Sequence, residues 1–271
     1  MKIGKGIKRF VLTLGVVATG VLLTACGSSN SSSKGGYTSE LKQSKQLTIG
    51  LEGTYAPYSY RQGGKLTGFE VDLGKAVAKK MNLKANFVPT KWDSLIAGLG
   101  SSKYDVVLNN IAETPERKKS YIFSTPYIYS RYALITKASD KSIQKLSDVK
   151  GKKLAEGTGT NNEAQAKKLG AKIVPSGDFT TTLALIRQGR VQGTINAREA
   201  WFAYAKSNST KGLTYHKVSD SQAEPVNISA MFNQKDTKIK AKFNKVLQQL
   251  RKDGTLTKLS QKYFGADITK E

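Results

Sequence analysis

The chain has 271 residues, of which 38% are hydrophobic and 24% are charged, and its formal net charge is +24. These proportions are ordinary for a globular protein and exclude a chain that is disordered over most of its length. The length leaves room for one large domain or two small ones.

Residues 1–25 are predicted to be a secretion signal. They open with Lys2, Lys5, Lys8 and Arg9, and residues 10–25 are uncharged and mostly apolar. This apolar stretch is shorter than the roughly 20 residues that a membrane-spanning helix needs, so cleavage after export is favoured. A short N-terminal anchor helix is the alternative.

The signal ends in a motif that resembles a bacterial lipobox, Leu23-Thr24-Ala25-Cys26, in which the cysteine thiol would carry diacylglycerol. Cys26 is the only cysteine, so its lipidation would leave no thiol for a disulfide, a metal site or a nucleophile. Residues 26–45 are predicted to be the lipidated cysteine and a flexible tether, because they are rich in Ser, Gly, Asn and Lys. The expected location is the extracellular face of the cell membrane, as in a single-membrane bacterium.

Removal of the signal would leave a net charge of about +20, which is unusually basic. Nucleic acid is not an expected partner, because the chain is predicted to be exported and shows no nucleic-acid-binding motif. Attraction to anionic cell-wall polymers or lipid headgroups, and plain solvated surface charge, are the remaining interpretations.

Strands and helices are predicted to alternate over the first part of the exported chain. Apolar residues recur at helical spacing after Phe69 and again after Trp92. The predicted elements are a strand at 46–52, a helix from 69, a strand at 86–88, a helix at 92–99 and a strand at 105–108.

The same alternation starts again after residue 130. Strands are predicted at 133–136, 153–155, 172–174, 193–195 and 229–232, and helices at 161–169, 180–187, 199–205, 239–250 and 256–263. This order predicts an α/β fold of two doubly wound lobes joined by a two-segment hinge.

Ligands of open α/β sheets bind beyond the carboxyl ends of the strands, and clefts between domains are favoured pockets. The loops to search therefore follow the predicted strands. They are residues 52–57, 91–93, 109–117 and 156–161.

The side chains of these loops suit a free amino acid. Arg117 can bind the α-carboxylate in a bidentate manner, helped by the Ala112 N–H and by the helix start at Thr160 and Asn161. The ammonium group would meet Glu52 or Glu113, and aromatic rings would cover the apolar part of the ligand. The remaining candidates on these loops are Tyr55, Trp92 and Asn110. On spacing alone, an arginine such as Arg117 is more often surface charge than a ligand contact, and the two aromatic residues are more often core or cleft lining.

Together these segments resemble the third family of extracellular solute-binding proteins, which serve polar amino-acid importers and have the periplasmic-binding-protein type II fold. The resemblance runs from about residue 47 to 265. It is carried by the motifs GTYAPY (53–58), GFEVDL (68–73), KWD (91–93), TPERK (114–118) and GRV (189–191). The chain looks most like cystine-binding members and basic surface lipoproteins of lactobacilli.

The resemblance implies that Arg117 binds the ligand's α-carboxylate together with the N–H of Ala112 and a donor at Thr160. It also implies an acidic position at Glu52, aromatic walls, closure of the lobes on the ligand and docking on an ABC transporter permease. No cofactor, no metal and no catalysis are expected.

One position departs from the family pattern. Members usually carry an aspartate that binds the ligand's α-ammonium, and by alignment that position is Ala197, preceded by Asn196. Asn196, Glu52, Glu113 and Glu199 are the candidates to replace it.

The sequence thus predicts a lipid-anchored protein that captures an amino acid, with L-cystine as the best guess. Lobe 1 is predicted at 46–133 plus 225–271, and lobe 2 at 134–224. One alternative is an envelope adhesin that acts through its basic surface. Another is a lyase or dehydratase on the same fold, although the only histidine, His216, lies in a polar stretch without an evident partner.

Overall fold

The computed structural model describes residues 36–271. The predicted signal, the lipidation site at Cys26 and the first part of the predicted tether lie outside these residues. Within 36–271, no helix is both long enough and apolar enough to cross a membrane.

The described chain alternates short strands with helices. The strands are β1 Gln46–Leu51, β2 Tyr60–Gln62, β3 Lys65–Thr67, β4 Lys84–Pro89, β5 Val106–Val107, β6 Tyr121–Phe123, β7 Ile128–Ser130, β8 Tyr132–Lys137, β9 Lys153–Glu156, β10 Lys172–Pro175, β11 Gly193–Ala197, β12 Leu213–Lys217, β13 Val226–Ile228 and β14 Met231–Asn233. The α-helices are α1 Phe69–Lys80, α2 Trp92–Gly100, α3 Pro115–Lys118, α4 Asn161–Lys168, α5 Phe179–Arg187, α6 Arg198–Ser207, α7 Thr237–Lys252 and α8 Thr255–Phe264. Two single 3-10 turns are Tyr37–Glu40 and Leu146–Val149.

The first sheet, which forms lobe 1, has the strand order β4-β1-β5-β14-β6. Strand β1 pairs in parallel with β4 and β5, whereas β14 is antiparallel to β5 and β6. Leu47, Ile49 and Leu51 of β1 are fully buried, as expected for a central strand covered on both faces. Helices α1, α7 and α8 contact one another and contribute to the same hydrophobic cluster as β1.

The second sheet, which forms lobe 2, has the order β10-β9-β11-β8-β12. Strand β9 is parallel to β10 and β11, and β8 runs antiparallel to β11 and β12. The predicted parallel βαβ units are therefore present in both sheets, and each sheet also contains antiparallel strands.

Both passages between the sheets run through one small ladder. Strand β7 leads from the first sheet to the second, β13 leads back, and the two pair antiparallel with Ser130 opposite Val226 and Ile128 opposite Ile228. The observed architecture is thus two α/β lobes joined by two adjacent crossing segments, and it confirms the predicted fold class.

Gly68 shows why the GFEVDL motif begins with glycine. Its φ is +129°, and a Cβ built on it would lie 2.2 Å from the carbonyl oxygen of Tyr58. The amides of Phe69 and Glu70 donate to the carbonyls of Pro57 and Tyr58, at 2.9 Å in each case. This close approach of two backbone segments fixes the start of α1 against the 53–58 loop.

Candidate functional site

A cavity of about 680 Å³, including its open mouth, lies between the two lobes. Lobe 1 contributes the loops that follow β1, β4 and β5, and lobe 2 contributes the loops that follow β9, β10 and β11. The lining residues that bear on the chemistry are Glu52, Tyr55, Trp92, Asn109, Asn110, Glu156, Thr160, Asn161, Asp178, Phe179 and Asn196.

Aromatic rings from both lobes line the cavity. Tyr55 of lobe 1 meets Phe179 of lobe 2 edge to face, with 6.5 Å between the ring centroids. Tyr55 also packs on the fully buried Tyr58 at 5.1 Å. Trp92 adds a third ring at the first residue of α2. These rings suit the apolar part of a small ligand.

Glu52 and Asn109 form a polar pair on the lobe 1 side. The Glu52 amide donates to the Asn109 Oδ1 at 2.8 Å, and the Asn109 Nδ2 donates to the Glu52 Oε2 at 2.6 Å. Burial raises the pKa of Glu52, and the Asn109 hydrogen bond opposes that shift. The pair holds one carboxylate at the cavity wall.

Asn110 is held in an unusual backbone conformation beside this pair. Its φ is +49°, and its amide donates to the Oε1 of the buried Glu70 at 2.6 Å. The Tyr127 hydroxyl donates to the same oxygen. Within residues 36–271 the buried Oδ1 of Asn110 has no hydrogen-bond partner. Asn110 lines the cavity, and a buried acceptor without a protein partner is suited to a ligand N–H group.

Two carboxylates come from lobe 2. Glu156 ends β9, is almost fully buried and accepts a hydrogen bond from the Ile195 amide at 2.7 Å. Burial raises its pKa well above the usual range, so the neutral form is favoured. Asp178 caps α5 by accepting from the Thr181 amide at 2.9 Å.

Three hydrogen bonds cross the cleft and hold the lobes together. The Tyr55 hydroxyl donates to the Asn196 Oδ1 at 2.6 Å. The Trp92 Nε1 donates to the Thr158 carbonyl at 2.7 Å, and the Arg117 Nη2 donates to the Gly159 carbonyl at 3.0 Å. The structure is therefore a closed form.

Arg117 is not a surface charge, since only 7% of it is exposed. Thr114 caps α3 by accepting from the Arg117 amide, and the Arg117 Nη1 donates to the Ala112 carbonyl at 2.9 Å. Its guanidinium carbon lies 5.5 Å from the centre of the Trp92 ring. Burial lowers its pKa to about 10, which leaves it charged at neutral pH.

The structure separates the predicted site residues into two groups. Seven of them line the cavity: Glu52, Tyr55, Trp92, Asn110, Thr160, Asn161 and Asn196. The other three lie just outside its lining: Arg117, Ala112 and Ala197. In this closed form Arg117 reaches the 157–160 turn rather than the cavity itself.

Of the acidic candidates for an ammonium group, Glu52 alone lines the cavity. Glu113 instead pairs with Lys118 at 2.8 Å and accepts from the Ser229 hydroxyl. Glu199 is buried beside the crossing segment, where it accepts from the Ser130 hydroxyl at 2.9 Å.

Of the lining residues that bear on the chemistry, four are not among the predicted site residues: Asn109, Glu156, Asp178 and Phe179. Asn109 and Glu156 stand within the loops that were searched. Asp178 and Phe179 follow β10, so they occupy the same place relative to their strand as the predicted loops do.

The cavity combines aromatic walls with carboxylates and amides, and its lining contains no lysine, arginine or histidine among residues 36–271. Such a lining favours a ligand that carries an ammonium group. Over the same residues, no three His, Cys, Asp or Glu side chains are grouped so that they could hold a metal ion.

Comparison with known proteins gives several relatives that match over nearly the whole chain. A probable amino-acid ABC transporter-binding protein of Haemophilus influenzae is 39% identical over 252 residues, which cover 93% of this chain and 97% of that protein.

Two solved structures differ in how well they superimpose. The L-cystine solute receptor of Neisseria gonorrhoeae in its unliganded open conformation is 35% identical, with a TM-score of 0.59 over 88% of this chain and 100% of the receptor. An ancestral arginine-binding protein bound to arginine is 33% identical, with a TM-score of 0.75 over 82% of this chain and 99% of that one. The better superposition on the ligand-bound protein agrees with the hydrogen bonds that close the cleft.

Residues 47–266 match the family described as bacterial extracellular solute-binding proteins, family 3. The match spans both sheets and confirms the resemblance that the motifs indicate. The chain belongs to the family-3 bacterial extracellular solute-binding proteins.

Proposed function

We propose that this protein captures a polar amino acid, with L-cystine as the first candidate, and delivers it to the permease of an ABC importer. The observation that carries the proposal is the cavity between the lobes, which both lobes line and three hydrogen bonds close. The naming of the Haemophilus influenzae relative supports the importer, and that of the Neisseria gonorrhoeae receptor supports cystine.

Glu52 is the proposed partner of the ligand's α-ammonium group, in place of the aspartate that Ala197 lacks. It is the one sequence-derived acidic candidate on the cavity wall, and Asn109 fixes its carboxylate by a 2.6 Å hydrogen bond. The unpartnered Oδ1 of Asn110 supplies a second acceptor. Asn196 is already the acceptor for the Tyr55 hydroxyl, so its role is to hold that ring.

Arg117 is the proposed partner of the ligand's α-carboxylate. Its guanidinium already reaches the turn whose Thr160 lines the cavity, so a small rearrangement of this turn would present both groups to one carboxylate. A buried bidentate arginine is strongly favoured for that task. The amides of Ala112 and Thr160 complete the proposed carboxylate site.

A basic amino acid is the second candidate ligand. Besides the buried Glu156, two carboxylates line the cavity, at Glu52 and Asp178, and no cationic side chain of residues 36–271 lines it with them. This excess of acid favours a ligand with a net positive charge over cystine, in which each half has no net charge. The ancestral relative is described as bound to arginine.

We further propose that the protein binds without catalysis, from the outer face of the membrane. Lipidation of Cys26 after removal of residues 1–25 would place it there, with residues 26–45 as the tether. Lobe 1 would comprise 46–133 plus 225–271 and lobe 2 would comprise 134–224, with β7 and β13 as the hinge. The adhesin and the lyase or dehydratase remain the alternatives.

A thermal-shift screen tests the proposal. Fragment 36–271 contains every strand, helix and hydrophobic cluster that the structure describes, and it would be heated with each amino acid and with L-cystine. A ligand that binds only the folded state raises the melting temperature. Cystine is expected to give the largest rise in melting temperature. If arginine or lysine gives the largest rise, the second candidate is selected. A folded fragment whose melting temperature no compound raises would refute both.

A further inference from the structure

Helix α7 carries a row of lysines beside its buried face. The row consists of Lys238, Lys242, Lys245 and Lys252, which we call the α7 stripe. Successive offsets of four, three and seven residues place these side chains on one face of a helix. The buried face is formed by Ile239, Phe243, Val246, Leu247 and Leu250.

The acidic residues next to the stripe are confined to the two ends of α7, at Glu40, Asp236 and Asp253. Helix α7 contains six Lys or Arg residues and no acidic residue. Among residues 36–271, no stripe lysine has a carboxylate oxygen within 4.0 Å, whereas neighbouring helices pair Lys80 with Asp253 at 3.0 Å and Lys262 with Asp72 at 2.7 Å. Like charges three and four residues apart oppose helix formation, so folding alone gives no reason for this arrangement.

The stripe lies where the chain enters the fold. The Tyr37–Glu40 turn packs on α7, with the Lys242 Nζ 5.6 Å from the centre of the Tyr37 ring. The Glu40 carboxylate accepts from the amides of Lys238 and Ile239, at 3.2 and 2.7 Å. The start of the described chain is therefore fixed to the first turn of the helix that bears the stripe.

The distance from this point to the proposed anchor is short. Residues 27–36 separate Cys26 from Tyr37, and a fully extended chain of that length spans at most about 40 Å. If Cys26 is lipidated, Tyr37, which packs on α7, cannot lie farther than this from the membrane surface. Anionic headgroups attract basic segments that come within about one Debye length of them.

We propose that the α7 stripe docks on the anionic phospholipids of the membrane to which the chain is anchored. Lysine suits this partner, because its ammonium group is a point charge that binds phosphates without a fixed geometry. An anionic wall polymer offers the same phosphate chemistry, but the position of the stripe beside the chain's entry point favours the bilayer. The inference depends on the proposed anchor and is independent of which ligand the cavity binds.

The test measures binding of fragment 36–271 to vesicles by co-sedimentation at low ionic strength. The vesicles contain either phosphatidylcholine alone or phosphatidylcholine with about one third phosphatidylglycerol. The fragment is expected to sediment with the anionic vesicles only, and added salt should release it. A variant with glutamine at all four stripe positions should lose at least tenfold in partition coefficient.

A matched variant separates the stripe from net charge. It carries glutamine at Lys150, Lys172, Lys206 and Lys211, four exposed lysines of lobe 2 that pair with no carboxylate of the described residues. Its partition coefficient should stay within twofold of the unaltered fragment. Equal losses in the two variants, or no binding to anionic vesicles, would overturn the proposal.

The wall polymer is tested with soluble poly(glycerol phosphate). Stripe-dependent binding to this polymer, without binding to anionic vesicles, would make the polymer the partner and overturn the bilayer. Circular dichroism shows whether each variant is folded, and the ligand-induced thermal shift shows whether it still binds an amino acid. A loss of vesicle binding can therefore be told apart from a loss of the proposed transport function.

Discussion

Arg117 of lobe 1 donates a hydrogen bond to the carbonyl oxygen of Gly159 in lobe 2, 3.0 Å away across the cleft. The same turn of lobe 2 accepts a hydrogen bond from the Trp92 indole through Thr158. The side chains of Arg117 and Trp92, which pack against each other in lobe 1, thus both bind the 158–159 turn of lobe 2. Ligand binding and lobe closure therefore share the residues around this turn.

Replacing Arg117 by alanine should weaken amino-acid binding by about 100-fold or more, because loss of one partner of a buried charge pair costs at least about 2–5 kcal/mol. Arg117→Lys should recover part of that loss, since lysine keeps the charge but cannot bind a carboxylate through two parallel N–H groups. Calorimetric titration measures both. Arg190→Ala, at an exposed arginine of lobe 2, is the matched control and should bind as the unaltered protein does. Full affinity in Arg117→Ala would remove Arg117 from the site.

Replacing Trp92 by phenylalanine keeps an aromatic ring but removes the indole N–H that reaches the Thr158 carbonyl at 2.7 Å. The net value of one such hydrogen bond is about 1 kcal/mol, so affinity should fall about fivefold. The loss should appear mainly in a faster ligand dissociation, because the bond forms only on closure. Stopped-flow fluorescence measures this rate, and a slower dissociation would contradict the latch role of Trp92.

Replacing Glu52 by glutamine should cost at least tenfold in affinity, because the ligand's ammonium group loses its charged partner while Asn109 keeps an acceptor. Glu113→Gln is the matched control, and it should change affinity less than twofold, because Glu113 pairs with Lys118 away from the cavity. The reverse order of effects would mean that Glu113 takes the ammonium group in the bound state.

Glu70 should make stability depend on pH. Burial raises its pKa from 4.5 to about 7, so the folded state holds this proton more tightly than the unfolded state. The resulting stabilisation is complete below about pH 4.5 and is lost as the pH rises through about 7. Urea unfolding should therefore show a shallower decline of stability between pH 5 and 8 in Glu70→Gln than in the unaltered protein. Parallel curves would show that Glu70 does not titrate in this range.

Much of this architecture could be predicted from the sequence, because it depends on local patterns. The helix that starts at Phe69 and the strand that starts at Gln46 begin where apolar spacing placed them. Strands β2, β3, β6, β7 and β13 were not predicted, since three residues are too few to show a period, and the five-residue β12 was not predicted either. The sequence shows no evident partner for His216, yet this residue is half-buried in β12, where its Nε2 lies 2.8 Å from the Thr136 hydroxyl.

The site was less predictable than the fold, because side-chain direction depends on long-range packing. Loop position located Glu52 and Tyr55 on the cavity wall, but it gave no way to rank Glu52 above Glu113 or Glu199. The structure separates them by their partners. Glu52 pairs with Asn109 on the cavity wall, whereas Glu113 pairs with Lys118 and Glu199 with Ser130 away from it. Arg117 is turned toward Gly159 by lobe closure, and no local pattern encodes that contact.

The central claim is that one amino acid binds between the lobes, and isothermal titration of L-cystine into fragment 36–271 tests it most directly. The account predicts a saturable heat with one site per chain, which Glu52→Gln weakens and Glu113→Gln leaves unchanged. A folded fragment that releases no heat with cystine, arginine or any other free amino acid would contradict it.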